Sequence, residues 1–361
     1  MKKILTVIGA RPQFIKAAVL SRVIANKEDV QEVIVHTGQH FDHNMSDVFF
    51  EEMDIPHPDY NLNINGLSHG AMTGQMLEKI EEVLLKEKPD CVVVYGDTNS
   101  TLAGALAAKK MHIKVAHIEA GLRSNNIKMP EEVNRILTDR ISDLLFCPTN
   151  SAVKNLENEG YPNLDCRVYN SGDVMLDAAF YYSKKAQKPR VDLPGRFVVS
   201  TIHRGENTDD VRRLNQIFEA LEEISLSTPV VLPMHPRTRS CLDRLKYDFA
   251  KSNITITDPI SYFEMIYLLS NAEMVITDSG GLQKEAFFFK KHCLVARDET
   301  EWVELIDHGY NMLCGANVHN IVTNYHEIAN SKTKLSFSSD LYGNGEAGQK
   351  IYDRICEAMA D

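Results

Sequence analysis

Cys91-Val92-Val93-Val94-Tyr95-Gly96-Asp97-Thr98, followed by Lys114-Val115-Ala116-His117-Ile118-Glu119-Ala120-Gly121-Leu122-Arg123 and then Pro130-Glu131-Glu132, decides how this chain folds. The first two stretches each begin as an apolar run of strand length and break off at a short loop carrying an acid. A helix-like stretch over 101–110 separates them, and a second opens at Pro130. Strand and helix in strict alternation build a parallel sheet. Ligands of open parallel sheets lie in the crevice beyond the carboxyl ends of the strands, which is where Asp97 and Glu119 fall. Glu131 is also readable as an ordinary first-turn acid, favoured by the helix dipole. Three acids and two arginines around one crevice suggest proton transfer on an anionic substrate.

The alternation extends outward in both directions. Further strands are expected at 3–9, 32–37, 144–147 and 167–170, and further helices at 12–25 and 72–87. After Gly172-Asp173 the pattern loosens, and 183–195 gathers lysines, two prolines and a glycine. A second alternating half then starts at 196–202, with strands at 229–233, 254–257, 274–277 and 292–296. The expectation is an α/β chain of two Rossmann-like domains facing each other across a cleft. The first spans 1–172, a linker 173–195, the second 196–345, and a C-terminal helix over 346–361 packs back on the first.

Composition narrows the function. With 361 residues, 43% hydrophobic and 25% charged, the chain suits two soluble domains. No apolar run approaches the ~18 residues of a membrane span, and Lys16 interrupts the apolar N-terminus. A net charge of −11 argues against a nucleic-acid partner. The seven cysteines are dispersed without a Cys-x-x-Cys pair, which points to a reducing cytoplasm. Thirteen histidines include no His-Glu-x-x-His spacing, so no metal is expected.

Three further motifs end strands. Gly9-Ala10-Arg11-Pro12 turns the first strand into a helix; such a turn is a generic anion site, and equally an ordinary turn with a surface arginine. It lacks the Gly-x-Gly-x-x-Gly pattern, which disfavours NAD. In Thr277-Asp278-Ser279-Gly280-Gly281-Leu282-Gln283-Lys284-Glu285, backbone N–H groups of Ser279, Gly280 and Gly281 would receive a diphosphate, and Glu285 a ribose. The alternative is a plain glycine-rich turn. Ser200-Thr201-Ile202-His203-Arg204-Gly205-Glu206-Asn207 brings His203 to a strand end. Gln39, His40 and His235 also follow strands, where a supporting or regulatory place is as good a reading as chemistry.

Together these motifs, with Gly38-Gln39-His40, Asn134-Arg135 and Glu206-Asn207, resemble the non-hydrolysing UDP-N-acetylglucosamine 2-epimerases over essentially the whole chain. The resemblance implies a glycosyltransferase-B type fold with UDP held mainly by the second domain, no cofactor, and a homodimer. It implies elimination of UDP across carbons 1 and 2 of the sugar, a bound glycal, and re-addition with a proton delivered to the opposite face. Asp97, Glu119 and Glu131 match the family's acids, with base and acid left open, and His203 joins them in the catalytic set. Arg11, Lys16, Arg135, Ser279, Gly280, Gly281 and Glu285 match substrate contacts.

Two departures bear on specificity. Asn65-Gly66-Leu67-Ser68-His69 lacks the arginine that binds a second, activating UDP-sugar in the better-known bacterial enzymes, which speaks against such activation. Phe41-Asp42, Phe287-Phe288-Phe289 and Arg297-Asp298-Glu299-Thr300-Glu301-Trp302 look more like the branch acting on UDP-2,3-diacetamido-2,3-dideoxy-glucuronate, a surface-polysaccharide precursor. The phenylalanine run is as readily core packing. Plain UDP-N-acetylglucosamine, a hydrolysing relative, a glycosyltransferase of the same fold and a silent nucleotide-sugar sensor are the alternatives.

Overall fold

Seven parallel strands form the first sheet: β1 Lys2–Ile8, β2 Val30–His36, β3 Tyr60–Asn61, β4 Cys91–Tyr95, β5 Lys114–Ile118, β6 Leu144–Cys147 and β7 Arg167–Asn170. Their order is β3-β2-β1-β4-β5-β6-β7. All five residues of β4 are buried, the continuous apolar run expected of a strand covered on both faces. The order reverses between β1 and β4, making the crevice beyond these two strands the topological switch point. Gly9 closes it tightly. A Cβ there would lie 2.0 Å from Thr37 Oγ1 and 2.3 Å from Ser100 Oγ, so no other residue fits between the turn after β1 and the helix Asn99–Lys110. This computed structural model describes residues 1–39, 57–331, 337 and 340–360, apart from the Arg11 side chain.

The chain divides into two units, Met1–Ala178 with Asp340–Asp361, and Ala179–Ser339. The crossing falls inside the helix Val174–Ser183, so the first part of the expected linker at 173–195 is regular helix. The final helix, Ala347–Ala360, lies in the first unit against the helix Arg11–Ile24. Gly348 permits the close approach, since a Cβ on it would meet Val19 Cγ1 at 2.6 Å.

The second sheet comprises β8 Val198–Thr201, β9 Val230–Pro233, β10 Thr255–Thr257, β11 Met274–Thr277, β12 His292–Val295 and β13 Asn311–Leu313, in the order β10-β9-β8-β11-β12-β13, all parallel. Here the reversal falls between β8 and β11. The helix Val211–Ser225 covers one face. Leu214, Ile217, Phe218, Leu221 and Ile224 recur at helical spacing and are all buried, and the Asp210 carboxylate caps the first turn. Each such side chain contributes about 1.5–3 kcal/mol on burial. Phe287 and Phe288 are also buried, with Phe287 4.8 Å from the Tyr310 ring, so they pack the core. No helix among the described residues is long and apolar enough to cross a membrane.

Candidate active site

In the first unit the loops after β1, β4 and β5 are stitched together by buried side chains. Gln13 Oε1 accepts from the Gly9 and Ala10 N–H groups at 2.8 and 2.9 Å, while its Nε2 donates to the Tyr95 carbonyl at 2.8 Å and to Thr98 and Thr101 hydroxyls. Gly9 and Ala10 therefore spend their N–H groups internally, which favours the ordinary-turn reading of Gly9-Ala10-Arg11-Pro12 over an open backbone anion site. The Arg11 side chain and His40 lie outside the described residues. Gln39 is described, and its Oε1 accepts from Ser100 N at 3.1 Å and Oγ at 2.8 Å.

Glu119 follows β5 with φ 71°, a left-handed conformation rare outside glycine. Its N–H and that of Ala120 both donate to the Phe146 carbonyl, at 3.1 and 3.0 Å. Its carboxylate meets Lys16 Nζ at 2.7 Å, with both side chains about nine-tenths buried. Gly96, at φ 63°, turns the chain beside this pair; a Cβ there would stand 3.3 Å from Lys16 Nζ.

Asp97 is the next residue and pairs with Arg135 Nη2. The other guanidinium nitrogen, Nη1, donates to Glu132 Oε2 at 2.6 Å, and Asn134 Nδ2 donates to the Asp97 carbonyl at 3.0 Å. One helix, Pro130–Ile141, thus supplies three residues that fix the Asp97 loop or its guanidinium partner. Burial alone would push the Glu132 carboxyl up; N–H groups of Ser124 and Asn125 and the Arg135 charge outweigh it and hold the group below its ordinary value. Glu131, half-buried in the first turn of the same helix, makes no ion pair among the described residues.

Behind these loops lies a buried charge cluster. His117 Nδ1 is 2.7 Å from Asp139 Oδ1, and Nε2 is 2.7 Å from the Gly96 carbonyl. Asp139 also accepts from Gly121 N at 3.1 Å and Arg123 Nη1 at 2.7 Å. Arg123 Nε and Nη2 each donate to Glu159 at 2.7 Å. Burial pushes the Asp139 carboxyl up, but the His117 bond and the charges of His117 and Arg123 bring it below its ordinary value.

In the second unit Asp278 organises the loop ends of β8 and β11. Fully buried, it accepts from His203 N at 3.0 Å, Arg204 N at 2.9 Å and Asn207 Nδ2 at 3.1 Å. The His203 ring sits 5.4 Å from that of His235, whose Nδ1 accepts from Arg237 N. Burial, with lesser contributions from His235 and Arg204, lowers the His203 pKa despite Asp278.

Ser279 caps the helix Gly280–Phe288, but its own N–H donates to Thr277 Oγ1 at 2.9 Å. Only Gly280 and Gly281 of the three expected N–H donors are left for a ligand at this turn, a correction to the sequence reading. A Cβ on Gly280 would lie 2.5 Å from Glu301 Oε1, whereas Gly281 is exposed and meets nothing within 4 Å. Glu285 is buried on the same helix. Trp302 Nε1 donates to the Gly280 carbonyl at 2.9 Å, and Lys284 Nζ lies 4.1 Å above the Trp302 ring, so the Arg297–Trp302 stretch backs the glycine turn.

Two switch points, one rimmed by acids and one by a glycine turn, call for relatives. The family model for UDP-N-acetylglucosamine 2-epimerase matches residues 22–356. The chain belongs to the UDP-N-acetylglucosamine 2-epimerase family. It is 54% identical over 98% of its length, and 99% of the relative's, to the UDP-2,3-diacetamido-2,3-dideoxy-D-glucuronate 2-epimerase of Pseudomonas aeruginosa. The Methanocaldococcus jannaschii UDP-GlcNAc 2-epimerase, solved with UDP-GlcNAc and UDP, superposes with TM-score 0.87 at 40% identity, covering 99% of this chain and 100% of that one. The Neisseria meningitidis UDP-GlcNAc 2-epimerase, bound to UDP-GlcNAc, gives TM-score 0.89 at 30% identity, covering 98% and 100%. The fold of this epimerase-family chain is of the glycosyltransferase-B type, and its family members are isomerases acting on UDP-sugars.

Sequence reasoning placed Asp97, Glu119, His203 and the Ser279–Gly281 turn at strand ends, where they stand. It missed Gln13, Glu132, His117, Asp139 and Asp278 as the groups that hold those loops. Their local signal is weak: each is a polar residue in an apolar neighbourhood or on a helix, and the Gln13, His117, Asp139 and Asp278 side chains reach partners far away in sequence.

Proposed function

We propose that the chain converts UDP-2,3-diacetamido-2,3-dideoxy-glucuronate to its manno epimer at carbon 2, supplying a surface-polysaccharide precursor. The supporting observation is the 54% identity, along nearly the whole chain, to a relative bearing that name. The reading includes a cytoplasmic homodimer without a cofactor.

The chemistry runs by elimination and return. One carboxylate takes the carbon 2 proton, its bonding pair forms the carbon 1–carbon 2 double bond, and the carbon 1–oxygen bond breaks with its pair on UDP. UDP then adds back to the glycal while an acid protonates carbon 2 from the opposite face. The carbon 2 proton is poorly acidic, so a placed base and a stabilised leaving group are both required. Asp97, Glu119 and Glu131 form the proton-transfer set. Lys16 and Arg135, already engaged with Glu119 and Asp97, serve as site cations. His203 completes the catalytic set beside the diphosphate, Gly280, Gly281, Ser279 and Glu285 serve the nucleotide, and Arg11 is a further cation. Gln39 supports the helix behind Asp97 through Ser100, and His235 braces His203.

A second reading, UDP-N-acetylglucosamine as substrate, draws on the family description and on the sugar nucleotide bound in the Neisseria relative. Proton NMR in D₂O with each UDP-sugar separates them. Deuterium at carbon 2 and a manno product should accumulate faster from the diacetamido-glucuronate. Faster turnover of UDP-N-acetylglucosamine would transfer the assignment, and free sugar with UDP would make the chain a hydrolase. Light scattering at micromolar concentration tests the dimer.

A further inference from the structure

We propose that His117 is a positioning residue for epimerisation: with both ring nitrogens protonated, it clamps the turn carrying Asp97 to the buried Asp139–Arg123 pair. The inference rests on the reading that Asp97 and Glu119 carry out the proton transfer.

The ring is fully buried, and each nitrogen faces an acceptor at 2.7 Å. The Gly96 carbonyl has no proton to give, so Nε2 must donate. Asp139 Oδ2 accepts from Arg123 Nη1 and from the Gly121 N–H, and the buried guanidinium paired with it at 2.7 Å keeps the group a carboxylate, so Oδ1 accepts as well and Nδ1 is a donor. A ring with a single N–H would set one acceptor against another in the dry interior, at a cost of about 1–3 kcal/mol. The charges balance: His117 and Arg123 are matched by Asp139 and Glu159.

The clamp has a geometric purpose. The Gly96 peptide is fastened on both sides to β5, its N–H to the Ile118 carbonyl at 2.9 Å and its carbonyl to the His117 ring. Glu119 is the next residue along that strand end. Residues 117 and 118 therefore fix the spacing between the loop of Asp97 and the carboxylate of Glu119. Displacing a reacting group by about 1 Å costs on the order of a hundredfold in rate.

The test pairs two variants with a spectrum. Glutamine reaches as far as Nε2 and keeps the Gly96 bond, whereas asparagine reaches only as far as Nδ1. His117→Asn should lower kcat for carbon 2 exchange about a hundredfold with KM and UDP affinity nearly unchanged, and His117→Gln should recover much of that loss. Nitrogen-15 histidine labelling of the wild-type protein should show two slowly exchanging ring protons on His117. Wild-type kcat in both variants, equal losses in both, or a single ring proton would overturn the proposal. If both variants misfold, the proton count decides alone. Absence of carbon 2 exchange in the wild type would sink the epimerase reading, while the ring-proton count would still judge the clamp.

Discussion

Lys16 Nζ lies 2.7 Å from Glu119 Oε1, and Glu119 reaches it from a backbone φ of 71°. Such a conformation costs about 1–3 kcal/mol at a non-glycine residue and persists only where its surroundings enforce it. The enforcement here is the paired donation of the Glu119 and Ala120 N–H groups to Phe146, with the lysine holding the side chain. Glu119→Gln keeps the shape and a neutral acceptor for Lys16, so turnover should drop about a hundred- to ten-thousandfold with a smaller loss of stability than removal of the lysine, because the ammonium loses its counter-charge but keeps its hydrogen bond. Lys16→Met instead strands a buried charge and should cost about 3–5 kcal/mol of stability. Chemical denaturation of the two variants side by side checks the contrast; equal stabilities would show that the pair is not a structural brace.

Arg135 divides itself between Asp97 and Glu132, so Glu132 acts on the site from behind. Its carboxyl is held below the ordinary value of 4.5 in the folded chain. A depressed carboxyl adds stability that is complete above the unfolded pKa and lost as pH falls through the folded one. Asp139, lowered from 3.8, behaves the same way. Acid unfolding should therefore steepen below about pH 4.5, and Glu132→Gln should flatten part of that limb. Thermal melts from pH 3 to 7 measure it, and an unchanged profile would contradict the assignment.

His203 titrates below 6.5 because burial, then His235 and Arg204, disfavour its charged form. A lowered histidine pKa means that the unfolded chain binds the proton first. Stability from this group is therefore present above about pH 6.5 and declines as pH falls toward the folded value. A bound diphosphate would reverse the local balance, so UDP binding near pH 6 should take up a proton. Calorimetry in buffers of different ionisation heat reads that uptake directly, and His203→Gln should abolish it.

Gly280 and Gly281 make a matched pair of probes. Gly280→Ala drives a Cβ to 2.5 Å from Glu301 Oε1 and 3.4 Å from Arg204 Nη2, so UDP affinity should fall along with local order. At Gly281 the space is open, and alanine in a helix is favoured over glycine by about 1 kcal/mol. Gly281→Ala should hold or raise the melting temperature, so any loss of UDP affinity would report ligand approach alone. Isothermal titration with UDP distinguishes the two cases.

The strands were legible because their signal is local: β4 and β5 are apolar runs that end in Gly96-Asp97 and Glu119, and burial on both faces requires little else. The two-residue β3 and the short β13 carry too few residues to show a pattern. The helix Val174–Ser183 was lost among the lysines and prolines that follow it. The acids at the strand ends could be named, yet their partners could not. Gln13 bonds Tyr95 across 82 residues and His117 bonds Asp139 across 22, distances over which spacing carries no information. Backbone donors posed a different problem: Gly9, Ala10 and Ser279 spend their N–H groups on side chains close by in sequence, through turn geometry that residue types alone do not reveal.

The return of Ala347–Ala360 to the first unit also governs how the molecule is made. Gly348 N bonds Asp177 at 2.8 Å, so the last helix seals a unit whose other residues left the ribosome first. At about 5–20 residues per second, synthesis of the intervening unit delays that seal by on the order of ten to thirty seconds. During the wait, the flank of the helix Arg11–Ile24 that receives the seal is bare apolar surface for chaperones to shelter. A chain cut short by even its last fourteen-residue helix would leave that flank open permanently and should be recovered as an aggregate or a degradation substrate.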